Sequence, residues 1–485
     1  MRTEKFDYGT FLSPFTWRYG SPEMRKIFSE INYRATWRKI WVALAEAQSK
    51  YGLVTRKELA DLKSKMGPEH VSLKRAHEIE KEIGHDLMAE IKAYAEQCPI
   101  GGGKIHLGAT SMDIEDNADV LRMKAAFGII LTRLVNCLNS LSKQITKYKD
   151  LACIGWTHLQ PAVPTTLGYR FANYAQDIAL DIYNVENLLE NFMRGRGIKG
   201  AIGTSASFQR LLGRKGKPAD LEEYVMRKLG LKAYPVSTQT YPRKLDYVVL
   251  SVLASIVQSA HKFGLDLRHM QSPAYGEMSE PMKEARVGSS AMPFKKNPVT
   301  AERMCSLARY VGTLPRVVWE NAAQTIFERT LDDSANRRIV IPEGFLATDE
   351  CLMLYDRVVR DARVYPVIIK RNLEKYGAFA GTEAILMKLV ERGGHRQQMH
   401  EKLRELSFKA WERVMVGEEN PLPQLLKQDK MIRSKLSGKE IDGLLDPTGH
   451  LGDACERCEK FVNEVVKPIL LKYKDRLGKR HTPEF

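Results

Sequence analysis

The sequence predicts an all-α protein organised on a central bundle of five long helices. Three observations carry that expectation. Apolar residues recur at the i, i+3, i+4 spacing of helices in one segment after another. From about 113 to 364 that pattern is interrupted only near 153–164, 194–208, 212–242, 272–298 and 327–334, which leaves five long helical segments. With 485 residues, 44% hydrophobic and 28% charged, the chain has material for two or three domains and a large core.

Taken in order, Ser21-Pro22-Glu23 reads as a helix start: a capping hydroxyl, a proline for the first position, then an acid. Trp37, Trp41, Leu44 and Gln48 follow at helical spacing, and Ile79, Ile83, Leu87 and Ile91 mark another helix with His85 and Asp86 beside its stripe. Gly101-Gly102-Gly103-Lys104 lacks the glycine spacing and the following Ser/Thr of a phosphate loop, since Ile105 comes next. The first domain, 1–112, closes where a long helix opens near Asp113. In the central bundle, 113–364, Leu245, Val248, Val249, Val252, Leu253, Ile256 and Val257 make a wide apolar face. Such a face suits either burial within one bundle or oligomerisation. Gly195-Arg196-Gly197-Ile198-Lys199-Gly200 has dinucleotide spacing, but it follows a helix and not a strand, so cofactor binding there is rejected. Shorter helices fill a C-terminal domain, 365–485, where Cys455 and Cys458 are read as two thiols on a helix and not as a metal or redox pair.

The bulk numbers narrow the function. Seven scattered cysteines suggest reduced thiols in the cytoplasm. The N-terminus lacks the apolar core of a signal peptide, and no uninterrupted run reaches about 18 apolar residues, so no membrane is expected. A net charge of +16 could mark a nucleic-acid binder. The basic residues are, however, spread along helices with acids between them and without any nucleic-acid module, so a small polyanion is preferred as partner.

Two stretches carry chemistry. Gly288-Ser289-Ser290-Ala291-Met292-Pro293-Phe294-Lys295-Lys296-Asn297-Pro298 sets hydroxyl, ammonium and amide groups beside a helix start, with Asn297 as cap and Pro298 in the first turn. Such a helix end favours an anion. The polar segment before it, 276–287, has the composition of a lid over a site. In Glu328-Arg329-Thr330-Leu331-Asp332-Asp333-Ser334-Ala335-Asn336-Arg337-Arg338, Ser334 is a candidate N-cap with Arg338 one turn on. Two guanidiniums and a hydroxyl there suit a phosphate; the alternative pairs the arginines with Asp332 and Asp333.

These stretches, with Arg18-Tyr19, His85-Asp86, His106 to Ser111, Thr157-His158 and Ser237 to Lys244, resemble the fumarase/aspartase superfamily, and within it the eukaryotic-type adenylosuccinate lyase family. The blocks run in family order over most of the chain. The resemblance implies a three-domain fold whose helical core assembles into a homotetramer with active sites shared between subunits. It implies β-elimination of fumarate from adenylosuccinate and from succinylaminoimidazole carboxamide ribotide, with no metal or organic cofactor. His158 would be the general acid, oriented by Glu302. Ser289 would be the general base, an assignment that spacing alone does not separate from Ser290. Lys295 and Asn297 would hold the succinyl carboxylate. Arg18, Tyr19, Arg329, Ser334 and Arg338 would bind phosphate, while His85, Asp86, Thr110, Ser111, Gln239 and Arg303 would touch substrate, His85 also counting among the catalytic residues. One departure stands out: Gly84 occupies a position where relatives commonly carry arginine. The rivals are another fumarate-releasing lyase, such as argininosuccinate lyase, whose substrate carries no phosphate, and a non-catalytic structural or nucleic-acid-binding helical protein.

Overall fold

A computed structural model describes residues 8–281, 291–292, 294–481 and 483. The chain opens on helix α1 (Pro22–Phe28), where the Ser21 hydroxyl accepts from the Met24 N–H and Pro22 takes the first position, as the sequence predicts. It continues through α2 (Glu30–Ser49), which buries Trp37, Trp41, Leu44 and Gln48, and α3 (Arg56–Ser64), closed by a Thr55/Glu58 capping box. The single helix expected through Ile79 to Ile91 is two helices, α4 (Leu73–Ile83) and α5 (Asp86–Gln97). Gly84 separates them in the left-handed conformation, with φ of 70°, and its N–H closes α4 on the Glu80 carbonyl. Its absent side chain is therefore a helix stop and not a weak point inside a helix.

Five long helices form the bundle. They are α6 (Ser111–Tyr148), α7 (Leu167–Asn187), α10 (Lys244–Gln271), α11 (Val299–Ala323) and α12 (Asp332–Asp361). Two antiparallel strands, β1 (Ala152–Thr157) and β2 (Gln160–Thr166), connect α6 to α7, where only an interruption was expected. The short helices α8 (Ala206–Leu212) and α9 (Pro218–Leu229) precede α10. After α10, β3 (Met278–Ser279) pairs with β4 (Arg363–Val364), which ties the root of the 282–298 segment to the end of α12.

Leu245, Val249, Leu253, Ile256 and Val257 of α10 are buried against the bundle, but Val248 and Val252 stay partly exposed, so one chain does not cover the whole face. By length and composition α6 and α10 could each cross a membrane, against the expectation from unbroken apolar runs. The fold buries 67% and 50% of those windows, which accounts for much of their apolar character as core.

Beyond the bundle, α13 (Pro366–Glu391), α14 (Arg396–Met415), α15 (Leu422–Gln428), α16 (Lys430–Arg433) and α17 (Gly438–Leu445) surround a separate apolar cluster that includes Ile385, Leu403, Leu426 and Ile441. The last helices, α18 (Ala454–Phe461) and α19 (Lys467–Lys472), return to the main core through Cys458, Val466 and Ile469. Cys455 and Cys458 are free thiols on α18.

Candidate active site

The helices act as a frame, and the expected site residues fall at three levels along it. At one end a cavity of about 750 Å³ opens between α2, α4, α5, α6 and the start of α12. Asp86, Arg329, Ser334 and Arg338 line it, together with Gly84, Glu115, Asp116, Asp119 and Arg337. A Cβ built at Gly84 would meet nothing within 4 Å, so the glycine leaves this wall open. Flanking the lining are His85, which caps α5 by accepting from the Met88 N–H (3.4 Å), and Thr110-Ser111, where the Thr110 N–H donates to Asp113 (2.9 Å) at the start of α6. Gln239 is tied to the same end, its N–H donating to the Glu328 carbonyl (3.3 Å).

The arginines of this cavity are already paired. Arg338 donates to Asp86 (2.5 Å) and Arg329 to Asp333 (3.3 Å). Burial acts to raise Asp86, yet the Arg338 guanidinium outweighs it and holds the carboxyl below its ordinary value. Burial lowers Arg329. Ser334 is not the helix cap expected of it: α12 begins at Asp332, and Ser334 lies in its first turn with its N–H on the Leu331 carbonyl (3.0 Å). Beneath the cavity a buried network ties three segments together. Arg243 bridges Asp116 (2.9 Å) and Asp333 (2.5 Å), while Arg337 donates to Asp246 (2.7 Å), Asp119 (3.0 Å) and the Tyr241 hydroxyl (2.7 Å). The neighbouring arginines 337 and 338 both line the cavity, but the first is locked in the buried network and the second is half exposed.

The middle level carries Arg18, Tyr19 and Arg303. Both guanidiniums lie over the Tyr19 ring, at 5.9 and 6.0 Å. Glu350 on α12 organises this patch: it accepts from the Gly20 N–H (3.2 Å) and lies 3.7 Å from Arg303. Burial pushes its carboxyl up to about 7. Gly20 is obligatory here, since φ is 78° and a Cβ would come within 2.7 Å of Leu346. Lys295, Asn297 and Glu302 lie near the start of α11. That start differs from the expected cap: Pro298 precedes the helix, and the first-turn N–H groups of Thr300 (2.9 Å) and Ala301 (3.1 Å) are taken by the buried Glu280 carboxylate. The helix end predicted to welcome an outside anion is filled by one from the chain. Ser289 and Ser290 lie outside the described residues.

His158 stands at the far level. It and Leu159 form the turn between β1 and β2, both left-handed with φ of 54° and 60°, so the imidazole is presented at an exposed hairpin tip. The Tyr275 hydroxyl anchors the tip through the Leu159 carbonyl (3.3 Å), and the Tyr275 ring packs edge-on against Trp156 at 4.8 Å.

The helices measure how far apart these levels are. Ser334 and Glu350 are separated by about 24 Å of α12 at about 1.5 Å per residue. The 28 residues of α10 run from the Arg243 network to the approach to Tyr275, about 42 Å. One chain does not bring His158 and Arg338 to a single small molecule.

Residues 18–312 match the lyase family model, and residues 379–461 match the model for the adenylosuccinate lyase C-terminus. The adenylosuccinate lyase of Saccharomyces cerevisiae is 40% identical over 477 residues, covering 97% of this chain and 98% of the yeast protein. The chain belongs to the adenylosuccinate lyase family. The Schistosoma mansoni adenylosuccinate lyase is 38% identical over the same shares of the two chains. The 3-carboxy-cis,cis-muconate lactonizing enzyme of Pseudomonas putida superposes with a TM-score of 0.83 at 26% identity, over 94% of this chain and 99% of that one. The residues around these levels that sequence reasoning missed are the acids: Glu115, Asp116 and Asp119 on the cavity floor, Glu280 and Glu350. The run of acids opening α6 was visible in the sequence, but helical period alone did not say which face they take.

Proposed function

We propose that this chain releases fumarate from adenylosuccinate, leaving AMP, and from succinylaminoimidazole carboxamide ribotide, leaving the carboxamide ribotide. The observation that carries the reading is near-full-length similarity to adenylosuccinate lyases, 40% identical over 97% of the chain. The separation of the candidate residues supports a second element: the protein works as a homotetramer in which neighbouring copies each contribute one level of the frame to a shared cleft.

In such a cleft the work divides by chemistry. A proton leaves the carbon beside a succinyl carboxylate, and Ser289 takes it as general base. A serine hydroxyl is a weak base, so its ionised form needs nearby positive charge, which Lys295 provides. Lys295 and Asn297 then face the carboxylate on which negative charge grows. His158 donates a proton to the departing nitrogen, and Glu302 favours the imidazolium that does so. Arg18 with Tyr19, and Arg329, Ser334 and Arg338 in the cavity, hold the phosphate, while His85, Asp86, Thr110, Ser111, Gln239 and Arg303 position the rest of the nucleotide. An incoming phosphate exchanges partners with Asp86 and Asp333, so binding replaces internal ion pairs instead of meeting idle cations.

Ultraviolet monitoring of purified protein with adenylosuccinate tests this directly. Fumarate release is expected with wild type, and loss of turnover with the oligomer intact is expected for Ser289→Ala. Release from argininosuccinate in place of adenylosuccinate would overturn the substrate assignment.

A further inference from the structure

Six acids line the cavity: Glu30, Glu80, Asp86, Glu115, Asp116 and Asp119. Five are held by guanidiniums. Arg34 takes Glu30 and Glu80, Arg338 takes Asp86, Arg243 takes Asp116, and Arg122 and Arg337 share Asp119. Glu115, on the second turn of α6, is 8% exposed, and its side chain makes no hydrogen bond or ion pair with any described residue. A buried carboxylate without a partner is costly and takes up a proton instead. Burial first, then the charges of Asp86 and Asp119, push Glu115 up to about 8. Near neutral pH it is an O–H donor on the wall of a cavity whose other acids are all engaged. A carboxylic acid kept neutral can serve an anion, as an ionised one cannot.

We propose that Glu115 is a specificity-determining residue: as the acid it donates its O–H to the nucleotide phosphate in the cavity, and as the carboxylate it repels that phosphate. This rests on the cavity being the phosphate end of the proposed site. The other groups facing it are Glu30, Tyr33 and Arg34 from α2, His77, Glu80 and Lys81 from α4, and Asp86 from α5. From α6 come Asp116, Asp119 and Arg122, and from the α12 end Arg329, Arg337 and Arg338. His77 is bonded to Glu30 (2.8 Å), on the α2 side of the cavity.

Calorimetric titration of the intact oligomer with AMP decides the matter. Between about pH 7 and about pH 9 the phosphate keeps its charge, since its second ionisation lies near 6. Over that window wild-type affinity should fall roughly tenfold as Glu115 ionises. Glu115→Gln, a neutral donor at both values, should bind as wild type does at the lower pH and keep that affinity at the higher. Glu115→Asp should retain a fall. A wild-type affinity that does not change, or a Glu115→Gln protein that falls as wild type does, would overturn the proposal; so would weak binding by Glu115→Gln at the lower pH in an intact oligomer. Should the glutamine variant fail to assemble, the wild-type and aspartate titrations still decide. Binding needs no turnover, so this pH response without fumarate release would count against the lyase reading alone.

Discussion

Arg337 and Arg338 are adjacent on one helix and have opposite burdens. Arg337 is 9% exposed and shared among Asp246, Asp119 and Tyr241, so its removal leaves the buried Asp246 carboxylate with no cation and only the Tyr241 hydroxyl as donor, and leaves Asp119 to Arg122 alone. We expect Arg337→Ala to cost about 3–5 kcal/mol in urea unfolding, the penalty of a broken buried pair. The Arg338 side chain is 54% exposed and bonded to Asp86. Arg338→Ala should change stability by less than about 1 kcal/mol and act instead on KM for the phosphorylated substrate. An unchanged KM would remove Arg338 from the phosphate site. Sequence pointed to Arg338 through its place one turn beyond Ser334, and that place held although Ser334 proved not to be the cap. What sequence did not reveal is that the guanidiniums come already paired. Pairing is a property of α5 and α6 meeting α12 in space, and no local spacing encodes it.

At the scale of elements, the long helices were legible because each buries a stripe at its own period, and the five expected between 113 and 364 are the five observed. The β1–β2 hairpin was not. Pro161 and Pro164 lie in β2, opposite Trp156 and Ile154, and prolines argue against a strand unless, as here, the sheet has two strands and N–H groups to spare. The hairpin gives the histidine a conformational test of its own. Asparagine tolerates the left-handed backbone, so His158→Asn should keep the turn while removing the acid. Turnover is expected to fall by about 10²–10⁴ with circular dichroism and oligomer mass unchanged. Retained turnover would remove His158 from proton transfer.

For the molecule as a whole, the spacing of the levels matters more than any one of them. A site assembled from several copies can be repaired by mixing. His158→Asn protein, which lacks the acid, and Arg338→Ala protein, which binds substrate weakly, should recover turnover at low substrate when dissociated and reassembled together, because some clefts receive intact residues from both. Reassembled hybrids that stay inactive would mean that each chain furnishes its own site. Through resemblance the sequence offered candidates at all three levels and a site shared between subunits, but the distances between the levels come only from the fold. Neighbours in a functional list need not be neighbours in a fold. The acids told a similar story: Glu280 fills the start of α11, where the sequence suggested an external anion, and Asp113 takes the backbone donors of the Gly195–Gly200 turn, where cofactor binding is rejected.

The 38-residue run of α6 also has a genetic corollary. One extra residue at its midpoint would push everything beyond it forward by about 1.5 Å and swing it through about 100°. The hairpin end would fall out of phase with the cavity end, and no turn lies between them to absorb the slip. In this rod a misspelling is survivable where a stutter is not, and a scan of single-residue insertions should find it silent in the surface turns at 213–217 and ruinous here.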